Sequence, residues 1–145
     1  MATVEQPLRQ IHLDFHTSEH IPDVAAKFDP DAFAETLERA RVQSVNCFAR
    51  GWHGWMYYDS KRFPEAVHPN LADRDLLPRQ IEACHRRGIR VPIYVAVQVD
   101  HRLSQLRPDW TQRKADGSRG GRGPFEAGWG PAMCLHGPFA EFLFE

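Results

Sequence analysis

From Gln10 to His16 the chain alternates strictly, with Ile11, Leu13 and Phe15 on one side and His12, Asp14 and His16 on the other. That is the period-two pattern of a strand with one apolar face. Asp29-Pro30 then offers an N-cap and a proline at the first helical position, and Phe33, Leu37 and Ala40 recur at helical spacing, so a helix follows. Ser44 to Ala49 is a second β-prone run. Leu77, Ile81 and Cys84 share one face of a second helix that closes at Arg86-Arg87, with Gly88 just past its end. Arg90 to Val97 reads as a third strand, and Pro92 fits its beginning better than its centre. A long loop comes next, glycine-rich from Asp116 to Gly130. Pro138 to Glu145 then reads as the first two turns of another helix, with Phe139, Phe142 and Leu143 on its apolar side.

Strands that alternate with helices in this order build a parallel sheet joined by crossover helices, the opening of either a three-layer sheet or a (β/α)8 barrel. The first strand is not followed by G-x-G-x-x-G, and the tract from Gly117 to Gly123 follows a loop, so neither nucleotide-binding fingerprint is met. The polar face of the first strand favours the barrel. In an open sheet covered on both sides by helices, both faces should be apolar. In a barrel that face lines the lumen, and its last positions open into the active site. The expected fold is therefore α/β, the N-terminal part of a (β/α)8 TIM barrel with three parallel strands and crossover helices.

Of the 145 residues, 42% are hydrophobic and 26% charged, which is ordinary globular composition and not that of a disordered tail. The net charge of -1 gives no electrostatic case for nucleic acid or an anionic membrane as partner. Cys47, Cys84 and Cys134 are odd in number and widely spaced, so they read as small buried hydrophobes and not as a disulfide framework or a zinc site. With no leader pattern at Met1 and no long apolar run, the expected location is the cytoplasm.

The candidate chemistry is concentrated in the loop from Ala49 to Lys61, which carries Trp52, His53, Trp55, Tyr57, Tyr58, Asp59 and Lys61, with Gly51 and Gly54 permitting turns that present rings outward. Aromatic faces take the C–H faces of sugars, while His, Asp and Lys reach their hydroxyls. The competing reading makes these rings a hydrophobic plug over the barrel end, and makes Asp59 and Lys61 an ordinary surface pair. His12, Asp14 and His16, spaced i, i+2, i+4, aim to one side of the first strand and are placed as sugar ligands. Two alternatives stay open for them: a zinc or iron site, and a hydrogen-bonded polar cluster in the barrel floor. On the third strand, Tyr94 and Gln98 share the lumen side with Asn46 of the second. Gln98, at the C-terminal end, is a ligand candidate, whereas Asp100 and His101 read as solvated loop residues. Trp110, Trp129 and His136 come from the third loop, and His136 is retained as a candidate. The glycine-interrupted arginines from Arg119 to Arg122 read as a mobile loop.

Together these residues resemble the retaining glycosidases of the α-L-fucosidase kind, glycoside hydrolase family 29, and their uncharacterised relatives. The likeness rests on His12-x-Asp14-Phe15-His16, the Ala49 to Lys61 loop, His68-Pro69-x-Leu71, the run Ala83-Cys84-His85-Arg86-Arg87-Gly88-Ile89 into Tyr94, and the turn from Asp109-Trp110 to Asp116-Gly117. Where the fucosidases carry a His-His pair followed by Asp-Gly-Phe, this chain has Gly51 and Trp52, with His53 in place of the Asp, so the contacts of that pair do not carry over. The resemblance implies O-glycosyl hydrolysis by a retaining, fucosidase- or galactosidase-like enzyme that needs neither metal nor cofactor. A complete barrel takes ~250 residues, so residues 1–145 are expected to be the N-terminal portion of the catalytic domain. The nucleophile and acid/base are expected beyond Glu145, with His12, Asp14, His16, Trp52, His53, Trp55, Gln98 and His136 lining the sugar. The chain alone is expected to be inactive, with a homo-oligomer possible. Two rivals remain: a metal-dependent TIM-barrel hydrolase built on His12, Asp14 and His16, and a non-catalytic carbohydrate-binding fragment.

Overall fold

A computed structural model describes residues 6–119 and 131–144. Most of the glycine-rich tract, with Trp129 and Arg122, lies outside the described residues. Helix α1 (Pro30–Arg39) begins as its sequence dictates: the Asp29 carboxylate accepts the backbone N–H groups of Asp31 and Ala32, each at 3.0 Å, and Pro30 occupies the first position. At its end, Val42 N–H donates to the Leu37 carbonyl at 2.9 Å and Arg41 N–H to that of Glu38 at 2.8 Å. Helix α2 (Leu76–Arg86) ends identically, with Ile89 N–H on the Cys84 carbonyl and Gly88 N–H on that of His85, both at 3.0 Å.

This Schellman geometry needs a left-handed residue at its centre. Gly88 supplies it at φ 68°, whereas Arg41 adopts φ 55° at a cost on the order of 1–2 kcal/mol. Each motif throws the chain back toward the sheet, with Val42 and Ile89 packing on the core the helix has just left.

The strands β1 (Gln10–His12), β2 (Ser44–Arg50) and β3 (Ile93–Val95) are parallel and lie in the order β1-β2-β3. Val45, Cys47 and Ala49 face the helices and meet Ala34, Leu37, Leu77, Ala83 and Cys84 in one core. Burial pushes the Cys47 thiol up to about 12, so it is an inert core residue, as the sequence suggests. The architecture is the expected opening of a (β/α)8 barrel.

Three elements depart from expectation. Strand β1 stops at His12 instead of His16, because the Asp14 carboxylate accepts the His16 N–H at 3.0 Å, and this side-chain turn replaces ladder pairing. Strand β3 is shorter than Arg90 to Val97. Pro92 has no N–H to give and contributes only its carbonyl, to Cys47 N–H at 3.1 Å, while Arg90 meets Ser44 as an isolated bridge. The pairing also slips between Phe48 and Arg50, Phe48 facing Tyr94 and Arg50 facing Val95. Finally, a short helix α3 (His101–Leu106) follows Asp100 where a solvated loop was expected. Helix α4 (Pro138–Phe144) lies where its apolar pattern put it, with Phe139 buried.

Candidate sugar-binding site

At the C-terminal ends of the strands, Phe48 and Tyr94, direct partners in the β2–β3 register, stack at 4.2 Å with 27° between their planes. His12 meets the two rings at 5.2 and 5.3 Å, and His16 meets them at 4.9 and 5.5 Å. Trp52 lies over His16 at 4.2 Å and 28°. Its backbone N–H donates to His16 Nδ1 at 3.0 Å. That bond assigns the neutral imidazole its proton on Nε2, 3.9 Å from Asp14 Oδ1.

Burial holds the pKa of His16 below its ordinary value, with Asp14 pulling it back up and the neighbouring His53 and His12 opposing. At neutral pH the ring is therefore an uncharged donor on an aromatic floor. The close approach depends on Gly51, where a Cβ would stand 2.9 Å from Tyr57 Oη and 3.1 Å from His16 Nδ1.

The sequence-chosen residues thus divide. His12, Asp14, His16 and Trp52 come together. Trp55 and His53 belong to an adjoining group: Trp55 Nε1 donates to Glu19 Oε2 at 3.1 Å, and the Arg102 guanidinium lies 5.1 Å above its ring. His53 is half-buried, and burial lowers its pKa against the pull of Glu19. Gln98 is exposed, and its carbonyl accepts Met133 N–H at 2.8 Å. His136 is exposed in the turn before α4.

Tyr57 is core and not site: its hydroxyl accepts the Thr17 N–H at 3.0 Å, with Thr17 Oγ1 at 2.9 Å. Asp59 pairs with Lys61 and with Arg74, a surface cluster of modest value. His68, from the His-Pro-x-Leu piece, is buried, donating from Nε2 to the Ser18 carbonyl at 3.0 Å and accepting Asn70 N–H on Nδ1 at 3.1 Å. It latches the segment that carries Glu19.

Sequence reading missed Phe48, Glu19 and Arg50, and misplaced Asp100. Asp100 is 1% exposed and forms an ion pair with Arg50, itself 4% exposed. Alternation along β2 would have found Phe48, but nothing local signals the register slip that moves Arg50.

Among the described residues, no group of three or more His, Cys, Asp or Glu is arranged to hold a metal ion. No helix among them is long and apolar enough to cross a membrane. A cavity of about 510 Å³ adjoins Phe48, bounded also by Leu13, Phe15, Phe28, Phe33 and Leu76. Its wall is mostly apolar, with Asp23, Lys27, Asn46 and Gln80 as its polar side chains.

Residues 29–145 match the model of a family described as hypothetical glycosyl hydrolase 6, GHL6. The chain is similar to α-L-fucosidase isoenzyme 2 from Paenibacillus thiaminolyticus, at 39% identity and a TM-score of 0.85, over 95% of this chain and 20% of that one. The α-galactosidase of Thermus thermophilus, solved with p-nitrophenyl α-D-galactopyranoside, shares the fold at 21% identity and a TM-score of 0.50, over 97% of this chain and 28% of that one. A stretch of 56 residues is 34% identical to the α-1,4-glucan:maltose-1-phosphate maltosyltransferase of Cereibacter sphaeroides, covering 37% of this chain and 9% of that protein. The chain spans about a fifth of the length of the fucosidase and less of the maltosyltransferase.

Proposed function

The chain belongs to the hypothetical glycosyl hydrolase 6 family, and we propose that it supplies part of the sugar-binding wall of a retaining, fucosidase- or galactosidase-like glycosidase. The observation that carries this reading is the His16–Trp52 pair. Its backbone bond fixes which imidazole nitrogen donates, and it holds that donor and Asp14 beside the His12, Phe48 and Tyr94 rings. A pyranose needs this combination, a flat apolar surface for its C–H face and fixed polar tips for its hydroxyls.

His53 and Trp55 would extend the wall, with Gln98 and His136 at its rim. In a retaining enzyme the reaction itself requires two carboxylates about 5 Å apart, one of them an acid of raised pKa. Those groups are assigned to later strands of a complete barrel, so the wall orients the sugar and strengthens its contacts as the ring flattens toward the transition state.

Saturation-transfer NMR with L-fucose, D-galactose and D-glucose tests the reading directly. Fucose or galactose should receive saturation from aromatic protons, and Trp52→Ala or His16→Ala should each weaken binding by about 1–3 kcal/mol through lost stacking and hydrogen bonding. Indifference to both substitutions would refute it. The 145-residue chain should not hydrolyse aryl fucosides or galactosides above background. Turnover that disappears in Asp14→Asn would place a catalytic acid on this wall and overturn the division of labour.

A further inference from the structure

We propose that Asp100 is a positioning residue that clamps the Trp52–His53 segment into the sugar site, although it touches neither the floor rings nor His16. The proposal rests on the sugar-wall reading above for its functional meaning, while the clamp stands on its own geometry.

Asp100 sits at the N-cap of α3, almost wholly buried, with its two carboxylate oxygens engaged in different directions. Oδ1 accepts the Leu103 N–H at 2.7 Å, which starts the helix. Oδ2 pairs with the guanidinium of Arg50, at the end of β2. The slip between Phe48 and Arg50 makes this pairing available, because it takes Arg50 off the lumen face and sets it beside Val95 and over the Phe142 ring, 4.7 Å away. A helix so short has little stability of its own, so α3 depends on this buried pair at its N-terminus and on Leu103, which packs with Met133 and Phe139.

Once fixed, α3 holds the loop by its backbone. His101 N–H donates to the Trp52 carbonyl at 2.8 Å and Arg102 N–H to that of His53 at 3.3 Å. The loop fits against the carboxylate only because residue 54 is glycine. At φ 91°, a Cβ there would collide with Asp100 Oδ1 and stand 2.9 Å from Arg102 Cβ. The Trp52 carbonyl is thus tied to α3 while its N–H is tied to His16 Nδ1, so the placement of the His16–Trp52 stack is inherited from Asp100.

The test follows the His16 ring protons by NMR in the 145-residue chain, titrated from about pH 5 to pH 8, the range in which histidine changes charge. The variants are Asp100→Asn, which keeps the shape but removes the charge facing Arg50, and Gly54→Ala, which keeps the ion pair and pushes the loop off it. Leu37→Ala, a loss of core packing on α1, controls for general loosening.

In the starting protein His16 should titrate below the ordinary ~6.5. Both clamp variants should raise its midpoint toward or past that value, because Nδ1 is released and the ring is wetted beside Asp14. Both should also lose the upfield ring-current shift from Trp52. Leu37→Ala should leave both features in place.

Folded Asp100→Asn and Gly54→Ala proteins with an unchanged His16 would overturn the proposal. So would an equal response in Leu37→Ala, or failure of both clamp variants to fold, since Asp100 would then be a folding residue only. Fucose titrations on the same samples separate the two claims. If His16 responds to Asp100 while no variant, nor the starting protein, binds sugar, the clamp stands and the sugar reading falls. If sugar binds equally to the starting protein and to Asp100→Asn with His16 unmoved, the clamp falls and the sugar reading stands.

Discussion

Replacing His68 by leucine removes a side chain that is 1% exposed and holds two backbone groups from different segments. The Ser18 carbonyl loses its Nε2–H donor, and Asn70 N–H loses its Nδ1 acceptor. The half-buried Asn70 N–H is left without its partner, at about 1–3 kcal/mol, whereas the Ser18 carbonyl keeps the Ile21 N–H at 3.0 Å and loses one net bond of about 1 kcal/mol. Leucine returns at most about 1.5 kcal/mol through its larger apolar surface. The expected net loss is about 1–2 kcal/mol at neutral pH, or about 0.5–1 M in urea midpoint for an m-value in the usual range.

The pH dependence supplies a second readout. Burial holds the His68 pKa below its ordinary value, with the Ser18 bond and Glu19 pulling it upward. The unfolded chain therefore takes up the proton first as pH falls. The stability contributed by neutral His68 is present above about pH 6.5 and is lost as pH falls through the folded-state value. Leucine has no such dependence, so the gap between the two proteins should narrow on acidification. Urea unfolding of both, near neutrality and about one and a half pH units lower, measures it. Equal midpoints near neutrality, or a gap that widens in acid, would refute the assignment of His68 as a neutral latch.

Gly51→Ala should cost about 1–3 kcal/mol by overpacking against Tyr57 Oη and His16 Nδ1, and a thermal melt that does not fall would show that the loop has room there. Alkylation with iodoacetamide near pH 8 should modify the half-buried Cys134 well before Cys47 or Cys84, whose thiols are buried and pushed up; peptide mapping that finds Cys47 modified first would contradict its place in the core. The open edge beside β3 exposes Ile93 at 45%, Val95 at 38% and Val97 at 47%, so sedimentation should find the 145-residue chain self-associating, and a monodisperse monomer at high concentration would count against that expectation.

Helices α1, α2 and α4 were legible because their signals are local. Asp29-Pro30 and Gly88 mark helix ends through backbone chemistry that needs no tertiary partner. The first strand was read too long for the same reason. Alternation continues through Asp14 to His16, but alternation cannot report that the Asp14 side chain takes up the His16 N–H and ends the ladder. The two histidines and Asp14 still converge on the site, because that turn carries His16 back over the end of the sheet to face Phe48. The aromatic loop divides in the fold. Trp52 and Trp55 are half-buried beside polar groups, whereas Tyr57 is consumed by the core, and aromatic content alone does not distinguish these fates.

Asp100 and Arg50 mark the limit of local reading. A charged residue in a strand-end loop reads as solvated, and leaving either of these two buried alone would be prohibitively costly. Each is tolerable only because the other arrives, and they meet where β2 and β3 slip register between Phe48 and Arg50. Breaking such a pair by removing one partner costs far more than the pair gains over an apolar substitute. Its persistence is therefore better explained by the geometry it imposes than by stability. That geometry is the joint of β2, α3 and the Trp52–His53 segment, whose carbonyls accept the His101 and Arg102 N–H groups.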